Sequence, residues 1–80
     1  MNAGEMNAAM KRNHDTQEKL AEALGIKTSG VSARINGKIE FRRSEINIIR
    51  ERYNLTADET VKIFFTDEVS PDETERNELI

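Results

Sequence analysis

An all-α chain of about five short helices is predicted by three features of the sequence. Two segments read as helices packed across a tight turn, apolar residues recur at helical spacing, and capping signals stand at helix starts. Residues 16–37, TQEKLAEALGIKTSGVSARING, carry most of this information. Thr16 can cap a helix with Leu20, Ala21 and Leu24 on one stripe, and Gly25 can supply the left-handed or close-packed backbone that ends it. Val31 and Ile35 start a second stripe at i, i+4. Helices crossing at roughly 90 to 120° approach closely, so the small side chain of Ala21 is required at the crossing. The outer face of the second helix, about residues 28–36, is then left open, with dimensions that suit a DNA major groove.

The other elements are read in chain order. Met6, Ala9 and Met10 lie at i, i+3, i+4 and predict a first helix ending around Asn13 and His14. Helices two and three cover residues 17–24 and 28–35, and Asn36-Gly37 is a turn because both residues tolerate positive φ. Residues 38–41 read as a loop with one apolar anchor, and helix four as residues 44–53 with Ile46, Ile49 and Tyr53 on one stripe. Thr56 with Glu59 forms a capping box that opens helix five, whose stripe is Ala57, Val61, Phe64 and Phe65. The expected core is Leu20, Ala21, Leu24, Val31, Ile35, Ile46, Ile49, Val61 and Phe64. The composition then shifts, dividing the chain into a domain of residues 1–66 and an acidic tail of residues 67–80. Ser70-Pro71-Asp72-Glu73 is a good helix start, but the stretch from Ser70 to Ile80 is shorter than the ~12 to 15 residues an isolated helix needs. The tail is expected to be disordered unless it docks as a short helix.

Eighty residues allow one domain whose core is marginal without a staple, and with no cysteine and one histidine neither a disulfide nor a structural zinc supplies it. Dimerisation remains. No apolar run approaches ~18 residues and the N-terminal residues have no hydrophobic signal core, so no membrane role is expected and the cytoplasm of a bacterial host is the expected location. The net charge of -3 is unevenly spread: residues 1–66 hold 11 basic and 9 acidic side chains, residues 67–80 hold 1 and 6. Residues 27–52 alone carry seven basic against three acidic side chains, so the segment expected to face DNA is the basic one.

Three motifs, DTQEKLAEALGI, SARINGK and EFRRSEINIIRERYNLTADETVKIFF, occur here in an order and spacing that resemble the small Cro/repressor-type regulators of temperate phages and prophages of Gram-positive bacteria. The similarity spans about residues 6–70. It implies a five-helix, lambda-repressor-like DNA-binding domain that acts as a repressor or Cro-like switch by occupying a palindromic double-stranded DNA operator as a homodimer. It also implies site residues. Gln17 falls where relatives touch the phosphate backbone, Thr28, Ser29, Ser32 and Ala33 where they read bases, and Asn36 and Lys38 where they contact phosphate after the recognition helix. The base-reading positions hold only small side chains, so specificity is expected from hydroxyl bonds, thymine methyl contacts or neighbours rather than bidentate purine readout. Relatives commonly carry a Ser or Thr cap at the position of Lys27; here Thr28 can cap instead.

Other residues are read from their own placement. Arg34, between Val31 and Ile35, is an awkward charge on a core-facing stripe; it either snorkels out to phosphate or guanine or pairs with a nearby Glu. Arg42 and Arg43 sit at the positive end of helix four, an unfavourable place that a phosphate would compensate; the alternative is that Ser44 caps and both merely solvate the surface. Ile48 lies about 200° from Ile46 and Ile63 about 240° from Ala57, so both fall off their stripes and either pack on each other or form a dimer patch. His14 lacks companion ligands at metal spacing, the carboxylates read as scattered over solvated faces, and nothing assembles a nucleophile, base and orienter. No cofactor, small-molecule substrate or enzyme activity is expected. The rival to a DNA-binding regulator is a protein-interaction module of the same fold, antirepressor or antitoxin-like, favoured by the acidic total and the small recognition residues.

Overall fold

The computed structural model describes residues 1–65, which form α-helices and no strand. The acidic tail and its helix start at Ser70 lie outside the described residues. Helix α1, Ala3–Arg12, begins earlier than its apolar stripe because the Asn2 side chain accepts the Glu5 N–H at 3.0 Å. It buries Met6, Ala9 and Met10, and it stops where the Asn13 side-chain amide donates to the Ala9 carbonyl at 2.7 Å. Helix α2, Gln17–Leu24, has its expected bounds: Thr16 Oγ1 accepts the Lys19 N–H at 3.1 Å, and Gly25 adopts φ 71°, a left-handed conformation that glycine takes without a Cβ clash.

Helix α3, Thr28–Ile35, packs across α2. Ala21, 2% exposed, and Val31, fully buried, both lie in the core. Thr28 does not cap α3. It is the first helical residue, and Lys27 holds the cap position without a side-chain hydrogen bond. Helix α4 runs Arg43–Arg52 rather than from Ser44, because Glu45 accepts the Arg42 N–H at 2.8 Å and fixes the start one residue early. Ser44 therefore lies inside the helix and is not its cap.

Helix α5 opens as the capping box requires, with Glu59 N–H donating to Thr56 Oγ1 at 3.1 Å and Thr56 N–H to Glu59 Oε1 at 2.8 Å. Its α-helical part is only Ala57–Thr60. The chain then widens into π-helical winding over Val61–Phe65. That change alters the expected stripe, of which Phe64 alone is buried. With i→i+5 bonding each turn takes an extra residue, so positions after Thr60 no longer follow the 100° step. Thr60, Ile63 and Phe64 face inward, whereas Ala57, Val61 and Phe65 are exposed. Ile63, at 2% exposure, is a core residue and cannot contribute to a surface dimer patch. Its carbonyl accepts the Asn2 N–H at 2.7 Å, which ties the start of α1 to the widened turn.

The core holds Met6, Ala9, Met10, Leu20, Ala21, Val31, Ile35, Ile49, Tyr53, Leu55, Ile63 and Phe64, with Leu24, Phe41 and Ile46 half-buried against it. Phe41 and Phe64 meet edge to face, with ring centroids 5.6 Å apart, and so bring the loop before α4 onto α5. Enlarging the crossing residue, Ala21→Leu, should cost about 1 to 3 kcal/mol by overpacking, read as a lower melting temperature. An unchanged temperature would show that the crossing has room to spare.

Candidate nucleic-acid interface

The exposed edge of α3 begins with Lys27, Thr28 and Ser29, continues through the half-buried Ser32 and Ala33, and passes into Asn36 and Lys38, both exposed. Asn36 Nδ2 lies 3.4 Å from Ser32 Oγ as donor to it, and Gly37 takes φ 81°, so the chain reverses at Asn36-Gly37 as that pair predicts. The Lys38 N–H donates to the Ala33 carbonyl at 2.9 Å and folds the loop back over the last turn of α3. These residues, polar apart from Ala33, follow one edge of α3 and the turn after it. Gln17, half-buried, opens α2 immediately after its Thr16 cap.

Arg34 is not part of that edge. At 9% exposure it lies between α3 and α4, donating from Nε to Glu45 Oε1 at 3.0 Å and from Nη2 to Glu45 Oε2 at 3.2 Å. Its Nη1 donates to the Gly30 carbonyl at 3.0 Å. A guanidinium engaged on all three nitrogens, and covered, cannot reach phosphate or a base edge, which corrects the DNA-contacting reading of Arg34. The pairing alternative holds, with the bridge buried rather than on the surface. Gly30 is part of the arrangement: a Cβ there would stand 3.1 Å from Arg34 Nη1, so a larger side chain would press on the guanidinium. Burial disfavours the Glu45 charge, but the Arg42 N–H and the Arg34 guanidinium outweigh it and hold the carboxyl below the usual carboxylate range.

A second polar cluster fixes the start of α2. Arg52 donates in a fork to Asp15, Nε to Oδ2 at 2.9 Å and Nη2 to Oδ1 at 2.8 Å, and Tyr53 OH donates to the same Oδ2. The Arg52 hydrogen bonds are the main cause that lowers the Asp15 carboxyl to about 2; burial opposes them, and Tyr53 adds to them. Burial pushes the Tyr53 hydroxyl well above its ordinary value, and the bond to Asp15 pushes it the same way. Asp15 and Glu45 thus depart from the expectation that the carboxylates lie on solvated faces. The Arg34–Glu45 bridge has a signal in the sequence, as two charges at core-facing positions: Glu45 stands four residues before Ile49, and Arg34 stands three after Val31.

Arg42 and Arg43 are exposed at the start of α4. Because Glu45 Oε1 accepts from both Arg34 Nε and the Arg42 N–H, this helix start lies against the last turn of α3, and Lys38 belongs to the loop that joins them. Ile48 is 38% exposed on α4, whereas Ile63 lies in the core, so the structure does not bring the two together at a surface.

This geometry agrees with the comparison with known families. Residues 6–59, from the middle of α1 into the first turn of α5, match the Helix-turn-helix family. The chain belongs to that family. No curated protein and no solved structure matches it. As a helix-turn-helix domain of the Cro/C1 type, helical throughout its described elements, it is a DNA-binding regulator, with α2 and α3 as the two helices of the motif. No helix among the described residues is long and apolar enough to cross a membrane.

Two predictions test these internal ion pairs. Arg34→Ala leaves a buried carboxylate without its partner and should cost about 3 kcal/mol in urea unfolding, with the apolar pair Arg34→Met, Glu45→Leu recovering most of the loss. Wild-type stability for Arg34→Ala would place the side chain at the surface after all. Asp15 titrates near 2 in the folded chain and near 3.8 unfolded, so its stabilisation is complete above about pH 4 and disappears as pH falls to about 2. Asp15→Asn should therefore lose about 2 kcal/mol at pH 7 and flatten the acid limb of the stability curve between those pH values.

Proposed function

We propose that this helix-turn-helix protein is a sequence-specific repressor or Cro-like switch of a phage or prophage of a Gram-positive bacterium, acting in the host cytoplasm by occupying its operator. The observation that carries the reading is the orientation of α3. The buried Arg34–Glu45 bridge takes the one basic residue of the helix inward and leaves Lys27, Thr28, Ser29, Ser32 and Ala33 along its outer edge. In this reading Thr28, Ser29, Ser32 and Ala33 meet base edges and thymine methyls, while Gln17, Lys27, Asn36, Lys38, Arg42 and Arg43 meet phosphate. An α4 start that carries two exposed arginines against its own dipole gains its compensation there.

Two copies would place their α3 helices in successive major grooves about 34 Å apart and block polymerase or a competing regulator. A homodimer follows from size, since one helix of eight residues buries too little surface for tight specific binding. Ile48, exposed on α4, is the candidate contact between the copies. The protein-interaction alternative draws on the overall charge of -3.

Fluorescence anisotropy on an inverted repeat flanking the gene tests the reading. Affinity should fall steeply with salt, and alanine at Lys27, Arg42 or Arg43 should reduce the slope of log K against log salt by about 1 each while weakening all sequences alike. Ser29→Ala should instead relax preference at one base position. Affinity and slope unchanged in the triple Lys27, Arg42, Arg43 alanine variant would favour the interaction module.

A further inference from the structure

A groove of mixed apolar and polar lining runs between α4 and the widened turn that ends α5. It comprises hollows of about 320 and 390 Å³ that share Phe41, Ile46 and Phe65 as walls. Phe65 is 66% exposed, the most of any large apolar side chain in the described residues, although its neighbour Phe64 is buried. Arg43 and Arg50, seven residues apart and so on one face of α4, line one end of the groove, and Glu40 lines the other. Neither arginine makes an ion pair with a described residue.

The chain itself supplies a segment of the opposite kind. Residues 67–80 begin two positions after Phe65, at the groove wall, and hold six carboxylates and one arginine, with Val69, Leu79 and Ile80 as apolar side chains. Four residues of extended chain span at most about 14 Å, so Asp67, Glu68 and Val69 stay close to the groove that Phe65 lines, and Asp72 and Glu73, seven and eight residues on, can lie along its length. We propose that residues 67–80 dock in cis on this groove, with apolar side chains against Phe41, Ile46 and Phe65 and carboxylates at Arg43 and Arg50. The tail then competes with phosphate for Arg43. This coupling rests on the DNA reading above, and it makes the tail an intramolecular anion that weakens binding to DNA of any sequence at low salt. Glu40 repels the acidic run from its own end and so sets which end of the groove the carboxylates take.

The absence of cysteine makes a nitroxide on Thr74→Cys a single reporter in the full chain. At low salt it should broaden the amide signals of Phe41, Ile46 and Arg50 and leave those of Thr28 and Ser29 sharp. The broadening should weaken near 1 M salt, where the Debye length is about 3 Å, and in Arg50→Glu. Broadening at Thr28 and Ser29 instead, or none, overturns the proposal. So does broadening seen only between a nitroxide-bearing copy and an isotope-enriched copy, which makes the groove an interface between two chains. In the full chain, Asp67→Asn, Glu68→Gln, Asp72→Asn and Glu73→Gln together should tighten binding to a random-sequence duplex roughly tenfold at low salt, with no gain at 1 M. Unchanged affinity overturns the competition for Arg43. Groove broadening in a protein that binds no DNA in either form supports the docking and overturns the DNA reading instead.

Discussion

A guanidinium and a carboxylate enclosed between α3 and α4 determine how the second helix of the motif is presented. Taking both groups out of water is costly, and the cost is offset only because the geometry is complete: two parallel bonds join Arg34 to Glu45, a third ties Arg34 to the Gly30 carbonyl, and Glu45 also accepts the Arg42 N–H. Because each bond is directional, the bridge sets the rotation of α3 about its axis as well as its position. An apolar contact of the same size would hold the helix but allow it to turn. For a helix of eight residues, too short to be stable by itself, that rotational setting decides which side chains face outward.

Helix α4 acts as a spine for the whole motif. At its N-terminal end Glu45 holds α3, and at its C-terminal end Arg52 and Tyr53 hold Asp15, the residue that precedes the Thr16 cap of α2. Both helices of the motif are thus tied to one rigid element by charge-assisted hydrogen bonds, while Ala21 and Val31 let them pack on each other directly. Displacement of either helix would break a bridge and expose apolar surface together, which makes their relative geometry cooperative rather than loosely hinged.

The same bridges sort the charges. Of the basic residues between positions 27 and 52, Arg34 is committed to a buried carboxylate and Arg52, at the surface, to Asp15, whereas Lys27, Lys38, Arg42, Arg43 and Arg50 are exposed with no side-chain ion pair among the described residues. A count of positive charge along the sequence therefore overstates the free positive charge of α3, whose one basic residue is buried, and the exposed charge lies instead in the loop and at the start of α4. Under the proposed reading, recognition would rest on short side chains held by a scaffold that leaves them little freedom.

Local chemistry along the chain dictates the number, order and type of the elements: α2 and α3 have the bounds that Thr16, Gly25 and Asn36-Gly37 specify, and the Thr56–Glu59 box opens α5, because caps and turns act through neighbours in sequence. Most of the expected core is buried for the same reason, since helical spacing places those side chains on one face. Packing between distant segments decides what spacing cannot express. Whether Arg34 points to solvent or to Glu45 depends on a residue eleven positions away, and Ile63 rather than Val61 enters the core because the winding of α5 changes to satisfy packing against α1. A stripe drawn at 100° per residue assumes an undistorted helix, and a charge on a stripe has no assigned partner until the chain folds; both are questions of distance between segments, which a one-dimensional pattern does not contain.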